Sequence, residues 1–190
     1  AYTNLTTAIA AATAGDEIWV AAGTYRPGTG PQDTFQLKSG VELFGGFTGA
    51  ETDRTQRNWR VTHTVLSGDL AENDTPDLGN RFDNAEHVVT AADGAMLDGF
   101  VILAGYAPAQ SFGGGMRIGS GSPTIRNCVF VDNAAHSGGA LFVHGGATPL
   151  FQDCSFCGNR AYGEYAGVAY GDNAATPEFR RCVFAGNRTP

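Results

Sequence analysis

The stretches PTIRNCVFVDN (123–133), LFQDCSFCGN (150–159) and FRRCVFAGN (179–187) align without a gap. Cys128, Cys154 and Cys182 stand 154 − 128 = 26 and 182 − 154 = 28 residues apart. Phe130, Phe156 and Phe184 repeat those offsets, as do Asn133, Asn159 and Asn187. A weaker copy, Met96–Ile102, lies 124 − 96 = 28 residues before the segment that opens at Thr124. Between the copies sit GGMRI (114–118), GALFV (139–143) and AGVAY (166–170), a second strand-like unit in each period. Strands of three to five residues returning every 25 to 28 residues leave no room for a crossover helix. The pattern predicts an all-β chain folded as a single-stranded right-handed parallel β-helix, a solenoid of roughly 25–28 residues per turn whose successive turns stack at about 4.8 Å.

The Cys, Phe and Asn series are then structural ladders, each side chain lying over its counterpart one turn away. Ile125 and Phe151 stand an odd number of residues from Cys128 and Cys154, so strict alternation cannot turn both sets inward. A bend must intervene at Gly99, Asn127, Asp153 and Arg181, mostly residue types that tolerate positive φ. Cys128, Cys154 and Cys182 read as buried thiols beside the phenylalanines, with a disulfide between adjacent turns as the alternative, since their Cα atoms would stand about 5 Å apart. Cys154 and Cys157 have CxxC spacing without the second pair that a zinc site needs.

Upstream the periodicity loosens. Glu17–Ala21, Thr34–Leu37, Val41–Phe44, Thr64–Leu66 and His87–Thr90 read as earlier turns of the same coil. Leu5, Ala8, Ile9 and Ala12 recur at helical spacing, which predicts a short amphipathic helix over the open end. Residues 1–190 are therefore read as one β-helix domain. It divides into a cap helix in 1–14, irregular turns with long loops in 15–95 and regular repeats in 96–190. The last strand, near Cys182 to Phe184, is expected to be an open edge able to pair end to end with another copy.

Composition narrows the function classes. The 27 glycines among 190 residues are about twice the usual share, and charged residues make up 16%, which fits many tight turns. A single lysine, Lys38, and a net charge of −7 provide no basic patch and argue against a nucleic-acid partner. The longest apolar runs, Ile18–Ala22 and Phe100–Ala104, fall far short of the roughly 18 residues of a membrane helix, so no membrane span is expected.

The GGAL motif (138–141) with FCGN (156–159), FVDN (130–133) and FAGN (184–187) resembles the paired GGA[ILV] and FxxN repeats of polymorphic outer membrane protein passengers and related bacterial β-helix proteins. The segments GDEIWVAAGTY (15–25), VELFGGF (41–47) and TVLSGD (64–69) are similar to the opening of large bacterial surface β-helices. The copy Ala166-Gly-Val168 departs from the repeat motif. This resemblance implies a bacterial, secreted or cell-surface β-helix that forms part of a larger surface protein. Its expected role is a non-catalytic structural or adhesive element, self-assembling or engaging a neighbouring cell surface or glycan. The competing expectation, carried by the fold alone, is a polysaccharide lyase or glycoside hydrolase of the pectate-lyase-like fold.

Candidate chemistry is sparse. Asp98, Arg126, Gln152 and Arg180 share a ladder, read as a solvated row with a screened ion pair. The dense polar segment 69–84 gathers Asp69, Glu72, Asp74, Asp77 and Asp83 with Asn73 and Asn80, hard oxygen donors of the kind a structural calcium ion uses, without EF-hand spacing. The regular turns show no clustered acids for sugar hydrolysis, so no catalytic residue is assigned.

Overall fold

A computed structural model of the chain describes residues 2–75, 79–163, 166–172 and 174–189. Its strands stack in about six turns of a parallel β-solenoid, and every pairing between named strands is parallel. The first sheet comprises Glu17–Ala21, Glu42–Phe47, Met96–Asp98, Thr124–Arg126, Leu150–Gln152 and Glu178–Arg180. The second comprises Gly23–Tyr25, Thr64–Ser67, Phe100–Leu103, Val129–Val131, Ser155–Cys157 and Val183–Ala185. The third comprises Phe35–Gln36, Val89–Ala91, Met116–Ile118, Leu141–Val143 and Ala169–Gly171. A fourth ribbon of Tyr106–Phe112, Ala134–Ser137 and Arg160–Ala161 lies between the second and third sheets, beyond the two strands per period legible in the repeat.

The corner between the first two sheets forms as the odd spacing requires. Gly99, Asn127, Asp153 and Arg181 have φ of 83°, 53°, 55° and 52°, one left-handed residue per turn. Each such residue reverses the alternation, so Ile125 and Phe151 on one side and Cys128 and Cys154 on the other are all buried. The pairing Thr124↔Leu150 and Phe130↔Phe156 reproduces the 26-residue offset read from the sequence.

Inside the coil the ladders are continuous. Phe130 stacks on Phe156 with ring centroids 4.9 Å apart, and Phe156 stacks on Phe184 at 5.0 Å. Phe151 and Phe179 stack at 5.0 Å and meet this column edge to face. Cys128 and Cys154 are buried free thiols, whereas Cys157 and Cys182 are half-buried. Phe130 and Phe156 are fully buried, whereas Val183 and Phe184 on the last turn are 56% and 50% exposed.

The cap helix, Leu5–Ala11, starts where Asn4 Oδ1 accepts from the Thr7 amide at 2.9 Å. It buries Leu5, Ala8 and Ile9, with Ala12 just beyond its end, the four positions read as its apolar stripe. At the other end Lys38 donates to the Ala10 and Ala12 carbonyls at 3.0 and 2.6 Å. The one lysine of the chain therefore binds carbonyls that the helix leaves unpaired, where a positive charge is favoured.

Candidate functional site

Within the Asp98 ladder, Arg126, Gln152 and Arg180 are partly or largely exposed as expected, but Asp98 itself is not solvated. Asp98 is 1% exposed, and its carboxylate accepts from Arg57 Nη2 at 2.8 Å, Arg126 Nε at 2.5 Å and Asn127 Nδ2 at 2.9 Å. The correction comes from Arg57, which lies outside the repeat on the long excursion between Phe47 and Thr64. Its guanidinium also donates to the carbonyls of Gly45 and Asp98 and lies over the rings of Phe44 and Trp59 at 5.1 and 4.6 Å. The excursion therefore folds back onto the corner and covers it. Gly99 occupies this corner because a Cβ there would stand 2.8 Å from Trp59 Cβ and 2.9 Å from Arg57 Nη1. A carboxylate paired with two guanidiniums and an amide has its lone pairs occupied and its charge compensated, so this cluster clamps a loop.

The acidic segment 69–84 is organised around Arg81, whose side chain is 4% exposed. Arg81 Nε lies 3.3 Å from Asp74 Oδ2, and its terminal nitrogens reach the Asp132 carbonyl at 2.6 Å and carboxylate at 3.1 Å. Asn84 donates to Asp74 at 3.0 Å and to the Ala104 carbonyl at 2.7 Å. Asp69 accepts from the Asn73 amide, Asp83 accepts from Asn73 Nδ2, and Glu72 pairs with Arg26 at 3.3 Å. Burial raises the Asp74 pKa against the pull of Asn84 and Arg81, and the charges of Asp69 and Asp83 add to the rise. Asp77 lies outside the described residues. Among the described residues no group of three or more His, Cys, Asp or Glu side chains is gathered to hold a metal ion.

The asparagine ladder is fully engaged. Asn159 Oδ1 accepts from the amide and side-chain nitrogen of Asn133, both at 3.1 Å. Asn159 Nδ2 donates to the Phe130 carbonyl at 2.9 Å and to Asn187 Oδ1 at 3.0 Å. Asn133 continues the row to Ile102 O and to the Gly105 amide. Each asparagine thus stands in for a backbone pairing where the chain turns from the second sheet.

A surface concavity with a polar lining lies over the third sheet. Its floor is the outward row Gln36, Thr90, Arg117 and Phe142, in register across four turns. Pro31, Gln32 and Thr34 with Glu86 and His87, together with Gln110–Phe112, form its rims around a volume of about 550 Å³. Gln32 donates to Glu86 at 2.6 Å, the Thr34 and Thr90 hydroxyls meet at 3.1 Å, and Phe112 leans on Phe142 with centroids 5.0 Å apart. His87 Nδ1 lies 3.0 Å from the Gly113 carbonyl, and burial lowers its pKa below the ordinary histidine value. Arg117 is exposed and makes no ion pair or hydrogen bond among the described residues.

Sequence reading singled out none of these groove residues. A partial signal was available, since aligning GGMRI with GALFV places Arg117 and Phe142 on one outward row, whereas the same alignment puts Ala169 of AGVAY in that column and only the structural register adds Tyr170. Gln36 and Thr90 carry no such signal, because their turns precede the regular repeat.

Stacked parallel turns, internal ladders and a lateral groove define a parallel β-solenoid. Residues 1–187 match the family described as protein of unknown function, DUF1565, and the chain belongs to that family. Comparison with curated proteins and with solved structures gave no match.

Proposed function

We propose that this chain is a non-catalytic extracellular β-helix, a structural or adhesive element of a bacterial surface. The observation that carries the reading is the fate of Asp98. Asp98, the carboxylate that shares a ladder with Arg126, is tied to Arg57, Arg126 and Asn127 and clamps the 48–63 excursion onto the coil. A general base needs a free lone pair, and the carboxylate of Asp98 is occupied by two guanidiniums and an amide. The likeness of the GGA[ILV] and FxxN copies to polymorphic outer membrane protein passengers supports the surface setting. A continuous apolar ladder with hydrogen-bonded corners also suits a rigid rod that presents its flanks.

The test is a cleavage screen against acidic and neutral polysaccharides, followed by new reducing ends and by the ultraviolet absorbance of unsaturated uronates. No turnover is expected. Cleavage by the wild type that disappears in Asp98→Asn or Arg126→Ala, with the fold retained, would overturn the proposal in favour of a lyase or hydrolase.

A further inference from the structure

We propose that the groove over the third sheet binds a linear saccharide bearing carboxylate groups, with Arg117 as the residue that recognises the anion. The inference rests on the adhesive reading above and gives it a site and a ligand class.

The charge distribution points to this place. The chain carries 19 acidic against 12 basic side chains, and seven arginines (26, 54, 57, 81, 126, 180 and 181) are ion-paired within the fold. Arg117, like Arg60, Arg160 and Arg188, is in none of these pairs; Arg60 lies over the Trp59 ring, whereas Arg117 lies on the floor of a concavity in an acidic molecule. The acid on the groove's rim, Glu86, is engaged by Gln32 at 2.6 Å. A cationic partner would meet the free guanidinium and be repelled, while a carboxylate can take both of its parallel N–H donors.

The remaining lining separates a sugar from other anions. A phosphate group favours several converging cations or backbone amides, and here one arginine stands among amides and hydroxyls. Gln36 and Thr90 on the floor and Gln32 and Gln110 on the rims carry amides and a hydroxyl that match sugar hydroxyls, and although Gln32, Gln36 and Thr90 hydrogen-bond within the fold, the side-chain oxygens of Gln36 and Gln110 remain as acceptors. The half-buried ring of Phe112 closes the groove beside Arg117 and supplies an apolar wall for a ring face. Floor residues recur once per turn, at about 4.8 Å, so the row suits an extended ligand more than a compact one.

The experiment titrates the whole chain with galacturonate oligomers and, in parallel, with neutral galactose oligomers of equal length, by calorimetry at low and high salt. Arg117→Gln, Arg117→Lys and Gln36→Ala are compared with the wild type after circular dichroism shows an unchanged fold. The expected result is binding of the uronate series only, weakened by added salt. The Kd should rise at least about tenfold in Arg117→Gln, and less in the lysine and Gln36 variants. Equal binding of neutral oligomers, an unchanged Kd in Arg117→Gln, or no uronate binding at millimolar ligand would overturn the proposal. None of these outcomes bears on the non-catalytic reading, which fails only if bonds are cleaved.

Discussion

Asn159 gives the strongest quantitative handle on what holds the coil together. It is 0% exposed and makes four side-chain hydrogen bonds, two accepted from Asn133 and two donated, to Phe130 O and Asn187 Oδ1. At about 1 kcal/mol net for each bond, Asn159→Ala should cost about 4 kcal/mol, a large part of the 5–15 kcal/mol typical of a domain. The loss includes the amide of Asn133, whose partner among the described residues is Asn159 Oδ1. Asn187 makes three equivalent bonds but is only half-buried, so Asn187→Ala should cost clearly less, because water can replace what is removed.

Asn159→Asp adds a pH signature. It keeps the shape and the acceptor but turns the donor toward Phe130 O into a buried carboxylate oxygen. The folded-state pKa of that acid must lie above the ordinary value of about 3.9, since burial and a facing carbonyl both disfavour ionisation. The folded state then binds the proton more tightly than the unfolded chain. The variant should therefore be nearest to wild type below about pH 4 and lose stability as pH rises through the raised pKa. Urea unfolding followed by far-ultraviolet circular dichroism at several pH values measures both effects. A loss below about 1 kcal/mol for Asn159→Ala, or a pH dependence for Asn159→Asp identical to wild type, would refute the ladder argument.

Gly99→Ala should destabilise by about 1–3 kcal/mol, read as a fall in melting temperature, because φ is 83° and the new Cβ meets Trp59 and Arg57. Phe156→Ala removes a ring stacked between Phe130 and Phe184 and should cost about 3–5 kcal/mol in the same assay. Thiol labelling of the native protein should modify Cys157 and Cys182 ahead of Cys128 and Cys154. The latter two are buried, and the Cys154 thiol is held protonated by its contact with Cys128 and by burial. His87 is held neutral by burial, so the unfolded chain binds its proton more readily. Wild-type stability should fall as pH drops below about 6.5 and level off beneath the lowered folded value, and His87→Gln should flatten that slope in melting curves.

The repeat by itself determined the solenoid. Identical spacing of Cys, Phe and Asn in three copies can be met only by in-register stacking, and the odd offset between Ile125 and Cys128 demanded the left-handed corner that Asn127, Asp153 and even Arg181 adopt. The cap helix was legible for a similar reason, since an apolar stripe at helical spacing is local information. What sequence could not supply were contacts made by segments outside the period. Arg57 reaches Asp98 across 41 residues, and Arg81 reaches Asp132 across 51, so burial and pairing of those charges exist only once the long excursions fold back. The groove has the same origin. Its floor is a ladder, but its rims come from 31–34 and 110–112, whose approach to one face is fixed by tertiary packing and leaves no periodic trace in the chain.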